Sequence, residues 1–558
     1  MRKTFFTLLL AISLLAPSAA LAQAVKITPA ERKLADEITA AQLSNYLYFV
    51  ASDAMGGRDT PSMGLDITAE FIKMNLQKWG FKGAGDNGSF FQKIALRRDG
   101  VNAAGTSVTV NGQKYVYGDD LVRVSGNFTG TMNPKIVFAG NGWMVKSKGL
   151  DPYKGIDVKG KMIAVFHEGQ VSGRNIVPLP AGVTQADLTG TRGQDWADVI
   201  TYAREHEAAG VMVLASNFLD SNWNAITQNF GRTRLVVDKL APAAQGAPQG
   251  PTQPTILIAS KKLSNAIFAG EAGNPLAGAT NSFDVNKDFG FSISTKADMV
   301  STQNVVAIWE GSDPVLKNEM VAIGAHYDHV GTNPNAPGED KIWNGADDDG
   351  SGTVAVLSIA EALAKAKVRP KRSVLFVWHA GEEKGLWGAE YFNKFPTVDV
   401  KNVIAQLNID MIGRSLDPAK VIKCDAPGKR CNEELSKANE IYVIGSEMMS
   451  SSLGAITKGA NDAFLKLDYN YKYDDPKDPN RFFFRSDHFH YAVNGIPIAF
   501  WFDGVHEDYH QPSDSPEKID YEKMEKVART IFLTMWELTD LKERPKIDKQ
   551  LPPELKER

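Results

Sequence analysis

The sequence predicts an α/β protein in which a mainly parallel, mixed sheet is flanked by helices, with a separate β-rich domain inserted into it. From residue 304 onward, apolar strand-like runs alternate with loops and helix-like stretches. Runs that are apolar throughout are typical of strands buried on both faces of a parallel sheet. Between residues 112 and 294 this alternation gives way to short β-type runs, which indicates a second folding unit.

The main sheet is predicted from five strand-like runs and the helices that follow or precede them. The strand-like runs lie at 304–311, 319–326, 372–380, 402–410 and 496–504. Helices are predicted at 352–366 and 521–538, and near the N-terminus at 30–50 and 66–79.

The inserted domain is predicted to be β-rich and non-catalytic. Its strand-like runs lie at 135–140, 161–169, 211–216 and 255–260, and a helix is expected at 196–210. Residues 241–254 are rich in Ala, Pro, Gly and Gln and are expected to form an exposed loop. The block contains only His167 and His206 as histidines, so it offers no cluster of metal ligands.

A chain of 558 residues is too long for one ordinary domain. We therefore expect the first part of a catalytic domain at 23–111, the inserted domain at 112–294, the rest of the catalytic domain at 295–545 and a C-terminal tail at 546–558. The formal net charge of −4 gives no reason to expect nucleic acid or an anionic membrane as a partner.

The N-terminus has the pattern of a secretory signal peptide, which we place at residues 1–22. Arg2 and Lys3 precede an apolar run over 5–15, and Ala20-Leu21-Ala22 fits the small-residue cleavage rule. The apolar run is shorter than the roughly 20 residues that span a bilayer. We therefore expect cleavage before Gln23, so that the mature chain starts at Gln23 and is a periplasmic or secreted protein without a membrane anchor.

The two cysteines, Cys424 and Cys431, are the only thiols in the sequence. In an oxidising compartment they could pair and close a small loop, and the alternative is two unpaired thiols. Their spacing is not that of a CxxC motif, so we assign them no catalytic role.

Side chains suited to metal binding follow the strand-like runs. Because the carboxyl ends of parallel strands meet at one edge of a sheet, we expect these side chains to converge there. They come from five separate segments, namely His326 and Asp328, Asp348, Glu382 and Glu383, Asp410, and His510.

These residue types predict a pair of zinc ions. Zinc takes imidazole nitrogen and carboxylate oxygen, and two ions can share one carboxylate. Asp348 is the best-placed bridge, with His326 and Asp410 completing one ion and Glu383 and His510 the other.

Other residues near the predicted ions have non-ligand roles. Glu382 adjoins a ligand but is not needed as one, so it suits a general base. Asp328 can accept the second ring N–H of His326 and fix its tautomer. Tyr509 is either a hydrogen-bond donor to the reaction intermediate or a packed loop aromatic. Asp347 and Asp349 are interpreted as loop and N-cap carboxylates, and the histidines expected to be structural or at the surface are His329, His379, His488, His490 and His506.

Five motifs resemble the metal-site motifs of the co-catalytic zinc aminopeptidases, a family that includes bacterial aminopeptidases, glutamate carboxypeptidase, glutaminyl cyclases and the transferrin receptor. The matching segments are GAHYDHVG (324–331), NGADDDGSG (344–352), HAGEEKGLWGA (379–389), LNIDMIG (407–413) and YHQPSDS (509–515). The resemblance covers 30–110 and 296–540 and implies the zinc exopeptidase, or phosphorylase/hydrolase-like, fold. It implies that Asp348 bridges the metals, that Glu382 is the base and Glu383 a ligand, and that the Asp348-Asp349 peptide bond is cis.

The inserted block resembles a protease-associated domain in less specific motifs. The matching segments are 157–169, 202–216 and 254–267. In the family this module lies within the peptidase domain, and we transfer no catalytic residue from it.

The residues and the resemblance together predict an exported exopeptidase with two zinc ions per chain and peptides as substrates. Foremost is an aminopeptidase that hydrolyses N-terminal residues through a hydroxide held between the ions, with Glu382 as general base. Manganese or cobalt accepts similar ligands.

Three alternatives are compatible with the sequence. A carboxypeptidase or dipeptidase on the same scaffold needs a cation to hold a substrate carboxylate, and Arg481 and Arg485 are available. A glutaminyl cyclase would work with one zinc ion, whereas the ligand set here is complete for two. A non-enzymatic protein like the transferrin receptor would tolerate lost ligands, and none of the five is lost.

Overall fold

The computed structural model describes residues 25–555 apart from 127, 169–175, 232, 242–252, 272, 278–280 and 427. The predicted signal peptide at 1–22 and most of the predicted loop at 241–254 therefore lie outside the described residues. Among the helices of the described part, none is both long and apolar enough to cross a membrane.

The chain forms two compact units. One comprises the described residues up to Ile94 and from Ser301 onward, and the other comprises Ala95–Val300. The second unit begins before the predicted boundary at 112 and ends after the predicted boundary at 294. Both boundaries fall inside strands, Phe91–Val101 and Thr295–Trp309, so no change in composition marks them in the sequence.

The first unit is built on a mixed sheet, as the sequence predicts. The strands Ser373–His379, Met320–His326, Val403–Ile409 and Ile498–Phe502 lie side by side and parallel. Antiparallel neighbours flank this parallel core on both sides. The order across the sheet is Phe91–Val101, Thr295–Trp309, Ser373–His379, Met320–His326, Val403–Ile409, Ile498–Phe502, Glu440–Ile444 and Asp468–Asn470, with Lys82–Gly83 paired to Thr295–Trp309.

Alternate side chains of the central strands enter two different hydrophobic cores. Phe376 and Trp378 pack in the same core as Leu357 of the buried helix Gly352–Ala364. Leu375 belongs to the core on the other face, which also contains Phe392. Because both faces are covered, a strand of this sheet is apolar at every position, which is the pattern that the sequence shows.

Helices pack on both faces of this sheet. In one place the structure has two separate helices where the sequence predicted one. The stretch predicted as a helix at 30–50 forms Pro29–Ala35 and Ala40–Val50, because the side chain of Thr39 accepts the N–H of Gln42 and starts a new helix. The α-helices of this unit are Pro29–Ala35, Ala40–Val50, Met63–Lys78, Gly352–Ala364, Trp387–Lys394, Ser446–Met449, Ser451–Ala463, His488–Val493 and Tyr521–Asp540.

The second unit is rich in strands. A six-stranded sheet has the order Phe283–Val285, Ile136–Phe138, Met162–Val165, Gly210–Val213, Thr255–Ala259 and Leu121–Ser125. A four-stranded antiparallel sheet has the order Gln113–Val116, Ser107–Val110, Phe289–Ile293 and Gly130–Met132. Other strands are Arg234–Val237, which pairs with residues 96–99, and the pair Met144–Val145 and Trp196–Ala197. The helices are Val199–Glu205, Asn217–Ser221, Trp223–Phe230 and Lys261–Phe268.

Cys424 and Cys431 form a disulfide, with their Cα atoms 5.2 Å apart. Of the two possibilities that the sequence left open, the paired one is therefore present. The bond closes a loop in the connection between the strands Val403–Ile409 and Glu440–Ile444.

Candidate metal centre

The predicted ligand residues converge at the carboxyl edge of the parallel strands. His326 is the last residue of Met320–His326, and Asp410 directly follows Val403–Ile409. Glu382 and Glu383 begin a short turn soon after Ser373–His379. Since these three strands are parallel neighbours, their ends deliver the side chains to one place.

One group of donors lies deep beneath the surface. The Nε2 atom of His326 is 3.3 Å from Oδ1 of Asp348 and 3.6 Å from Oδ1 of Asp410. The three donor atoms lie within 4.8 Å of one another and all three residues are buried. This group is a candidate site for one ion.

A second group of donors shares Asp348. The Nε2 atom of His510 is 3.0 Å from the other carboxylate oxygen of Asp348, Oδ2, and 3.1 Å from Oε2 of Glu383. The two oxygens of Asp348 therefore face the two groups separately. This arrangement is what a carboxylate bridging two ions requires.

The backbone around Asp348 is unusual and firmly held. The Asp348-Asp349 peptide bond is cis, as the resemblance implies. The N–H groups of Asp347 and Asp348 both donate to the carboxylate of Asp514, at 3.0 to 3.1 Å. Asp514 thus fixes the backbone from which the shared carboxylate projects.

The neighbours of Asp348 have different supporting roles. Asp349 accepts the N–H of Gly352 at 2.8 Å, at the start of the helix Gly352–Ala364, but the residue in the N-cap position is Ser351. Asp347 accepts the N–H of Gly413 at 2.7 Å, and its other oxygen lies 3.2 Å from Nε2 of His506. Asp347 therefore joins two loops near the site and does not cap the helix.

The donor set fits a pair of zinc ions. His326 Nε2, Asp348 Oδ2 and Glu383 Oε1 are buried and, among the described residues, have no partner in hydrogen-bonding geometry, although imidazole nitrogens and carboxylate oxygens of the cluster lie 2.8 to 3.7 Å apart. Buried polar atoms are normally satisfied, so such orphaned atoms need an explanation. Imidazole nitrogen and carboxylate oxygen are the ligands that zinc takes, and a cation would satisfy all three.

The site is electrostatically prepared for cations. Burial would raise the pKa of Asp348, but the adjoining imidazoles of His326 and His510 hold that pKa well below its usual range. Burial would lower the pKa of His510, but Asp348 and Glu383 raise it to about 10. The carboxylates of Asp348 and Glu383 thus favour positive charge at the place where a cation would bind.

Glu382 lies beside the first donor group without joining it. One of its carboxylate oxygens is 4.0 Å from Nε2 of His326, and neither group of donors contains it. Burial, with further contributions from Asp410 and Glu383, raises the pKa of Glu382 well above its usual value. A carboxylate of raised basicity at this position can accept a proton.

Asp328 lies behind His326, but its backbone makes the shorter contact. The Nδ1 atom of His326 is 3.1 Å from the backbone carbonyl oxygen of Asp328 and 3.7 Å from the carboxylate. The carboxylate accepts the hydroxyl of Thr60 at 3.0 Å and the N–H of Glu382 at 3.1 Å. Asp328 thus links the histidine to the segment that carries the candidate base.

Tyr509 is half-buried and stacks on His510, with ring centroids 4.0 Å apart. Burial raises the pKa of its phenol above the usual value. The hydroxyl therefore keeps its proton at neutral pH and can act as a hydrogen-bond donor.

His329 lies with the second donor group, where the sequence analysis did not place it. It is completely buried, and its Nδ1 atom is 2.8 Å from Oε1 of Glu383 and 3.7 Å from Oδ2 of Asp348. The signal in the sequence was its position in the same loop as His326. The other four histidines expected to be structural or at the surface are all buried, and none joins a donor group among the described residues, namely His379, His488, His490 and His506.

Comparison with known proteins relates one part of the chain to a peptidase family. Residues 304–535 match the profile of peptidase family M28. Leupeptin-inactivating enzyme 1 of Streptomyces exfoliatus is 32% identical over 205 residues, which cover 33% of this chain and 44% of that protein. A probable leucine aminopeptidase 2 of Aspergillus oryzae is 32% identical over 214 residues, covering 38% and 36% respectively. The matched part of this chain thus spans less than half the length of either relative.

Two solved structures resemble the chain over most of its length. An aminopeptidase from Aneurinibacillus sp. strain AM-1 gives a TM-score of 0.46 at 15% identity, covering 94% of this chain and 98% of that chain. A zinc aminopeptidase from Bacillus subtilis gives a TM-score of 0.45 at 17% identity, covering 92% and 97%.

Proposed function

Residues 304–535 belong to peptidase family M28, and from this premise we propose that the protein is an exported, zinc-dependent aminopeptidase. The observation that carries the proposal is the sharing of Asp348 between two groups of buried donors. The name of the Aspergillus oryzae relative, a probable leucine aminopeptidase, agrees with a peptidase that acts on peptide ends.

The five residues predicted from the sequence would hold the two ions. His326 and Asp410 would bind one, Glu383 and His510 the other, and Asp348 both. When bound, such ions lower the pKa of a coordinated water and polarise the carbonyl of the scissile peptide bond.

Glu382 is proposed as the general base. It lies at the rim of the first donor group without belonging to it, so its carboxylate stays available for a proton. The side chain would accept a proton from the attacking water and donate it to the leaving amine.

Tyr509 and Asp328 have supporting roles in this proposal. The protonated phenol of Tyr509 would donate a hydrogen bond to the carbonyl oxygen of the substrate as negative charge develops there. Asp328 would hold His326 in one tautomer through its backbone carbonyl, and would hold the N–H of Glu382 through its carboxylate.

Export and the accessory domain complete the proposal. The pattern at residues 1–22 supports a cleaved signal peptide and a periplasmic or secreted protein. The disulfide between Cys424 and Cys431 agrees with an oxidising compartment. We infer that the predicted domain at 112–294 is a protease-associated domain, and the strand-rich unit Ala95–Val300 supports this assignment.

Carboxypeptidase or dipeptidase activity is a second candidate, favoured by one observation. Arg485 is exposed, and it acts electrostatically on the phenol of Tyr509. A guanidinium beside the proposed site could pair with the carboxylate of a short peptide.

A panel of free and N-acetylated peptides, incubated with and without a chelator, tests the proposal. We expect loss of N-terminal residues from free peptides only, and no cleavage after chelation. Cleavage of the acetylated peptides from their C-terminal end would instead support the second candidate. Cleavage that survives complete removal of metal would refute both.

A further inference from the structure

A segment near the N-terminus, far in sequence from the donors, has an unusual backbone. Gly56, Gly57 and Arg58 are consecutive and all left-handed, with φ values of 55°, 69° and 49°. Glycine adopts this conformation readily, but arginine does so only at an energetic cost. The surrounding structure must therefore stabilise Arg58 in its place.

The side chain of Arg58 supplies that stabilisation by donating to four backbone carbonyls. Nε donates to Tyr327 at 3.0 Å, and Nη2 donates to Gly345 at 2.8 Å. Nη1 donates to both Val50 and Asn344, at 2.7 Å each. The residue is completely buried, so these bonds replace all contact with water.

Three of these four carbonyl groups lie in two loops that carry proposed metal ligands. Tyr327 lies between His326 and Asp328, and Asn344 and Gly345 immediately precede the turn that presents Asp348. The backbone of the same segment reinforces the connection, because the N–H of His329 donates to the carbonyl of Arg58 at 3.1 Å. One side chain thus connects the loops of His326 and Asp348 to each other.

A close approach at the neighbouring glycine shows how tightly the segment is enclosed. A β-carbon added to Gly57 would lie 2.4 Å from the carbonyl oxygen of Gly331 and 2.5 Å from that of Trp343. These two residues lie in the same two loops. The segment therefore fits between them with no room for a side chain.

The charge of Arg58 is also unusual. Among the described residues, no carboxylate forms a direct ion pair with it, and burial lowers its pKa although Asp328 and Asp514 act to raise it. A buried guanidinium bonded only to carbonyls is a costly way to stabilise a fold. The free-energy penalty of burying this guanidinium has an explanation if Arg58 must hold the two loops in one relative position.

We propose that Arg58 is a positioning residue of the metal centre, which holds the His326 loop and the Asp348 loop in the arrangement that binds both ions. The inference rests on the proposed function, because it concerns the affinity for zinc. Residues that orient metal ligands from behind typically change metal affinity by roughly 10- to 100-fold when they are substituted.

The test compares Arg58→Met with Arg372→Met in the full-length protein. Arg372 is also a buried arginine, bonded to backbone carbonyls and to Glu319, but it lies at the opposite end of the strand Ser373–His379 from the site. Zinc dissociation constants are measured by competition with a chromogenic chelator, and thermal stability is measured alongside. The visible spectrum of the cobalt-substituted protein reports the ligand geometry.

We expect Arg58→Met to weaken zinc binding at least about tenfold and to alter the cobalt spectrum, whereas Arg372→Met loses stability but keeps the affinity of the wild type. Arg58→Lys, which can still donate to some of the carbonyls, should fall between the two, and it serves as the test if Arg58→Met does not fold. Wild-type affinity in both Arg58 variants, or an equal loss in Arg372→Met, would overturn the inference alone. A wild-type protein that binds no zinc would overturn the proposed function as well.

Discussion

The two halves of the candidate centre differ in depth and in donor number. The half formed by His326 and Asp410 is enclosed, with His326 only 1% exposed. The half formed by Glu383 and His510 is closer to solvent, since His510 is 35% exposed, and it has the additional imidazole of His329 nearby. Asp348 belongs to both. The difference indicates that an ion in the outer half would exchange with solvent more readily, while the inner half would hold its ion beside the candidate base.

Removing the shared carboxylate should abolish this difference, because neither half is then complete. We expect Asp348→Ala to retain less than one zinc ion per chain and to lose activity by at least about 10⁴-fold. Metal content by elemental analysis and peptide hydrolysis rates measure the two effects. A variant that keeps two ions would show that Asp348 does not bridge them.

Substituting the proposed base should leave metal binding in both halves intact and should lower only the rate of peptide hydrolysis. Glu382→Gln preserves the shape of the side chain but cannot accept a proton, so we expect two zinc ions per chain and a loss of kcat of roughly 10²- to 10⁴-fold. Glu390→Gln, on the helix Trp387–Lys394, is a matched control with a glutamate that pairs with Lys394. Loss of metal in Glu382→Gln would mean that the roles of Glu382 and Glu383 are reversed.

Acidification should weaken metal binding in both halves. The pKa of His510 is raised to about 10 and the pKa of His326 is raised well above its usual value, so a proton competes with an ion for each ring. The apparent zinc affinity should therefore fall by about tenfold per pH unit and per site as the pH decreases from 8 to 6. Isothermal titration at several pH values measures this slope. An affinity independent of pH would contradict this competition.

The smallest effect is expected from His329, and it should be confined to the outer half. His329→Ala removes a ring nitrogen that lies 2.8 Å from Glu383, so we expect one of the two ions to bind roughly tenfold more weakly and the other to be unaffected. His488→Ala is the matched control, because His488 is equally buried but contacts the carbonyl of Phe483. Equal weakening of both ions would show that the two halves are not independent in this respect.

The parts of the centre that the sequence predicts are those fixed by strand ends. His326, Asp410 and Glu383 follow apolar runs, and the rule that parallel strands end at one edge places them together without knowledge of the loops. Asp348 and His510 lie in loops, whose paths are not determined by local patterns, so their prediction rested on residue type and agreed with the resemblance. Arg58 and His329 were not found, since a buried arginine bonded to carbonyls depends on contacts between segments more than 250 residues apart.

The same distinction applies to the fold. The main strands were predicted because burial on both faces leaves a continuous apolar signal in the sequence. The break between Pro29–Ala35 and Ala40–Val50 was missed, because it depends on the cap formed by Thr39. The unit Ala95–Val300 extends beyond the predicted bounds 112 and 294, and both of its ends lie within strands, Phe91–Val101 and Thr295–Trp309.

The positions at which the chain leaves the first unit, near Ile94, and returns to it, near Ser301, lie side by side in the sheet of that unit. The side chain of Asn304 donates to that of Gln92 at 2.8 Å, and Lys93 donates to Gln303 at 2.7 Å. The chain therefore leaves the sheet and returns to it at adjacent positions, as it would at an ordinary hairpin turn. Since the entropic penalty of a connection grows only logarithmically with its length, such a place tolerates a whole extra domain almost as readily as a few residues. The unit Ala95–Val300 can therefore occupy this position without changing the order of the strands on either side of it.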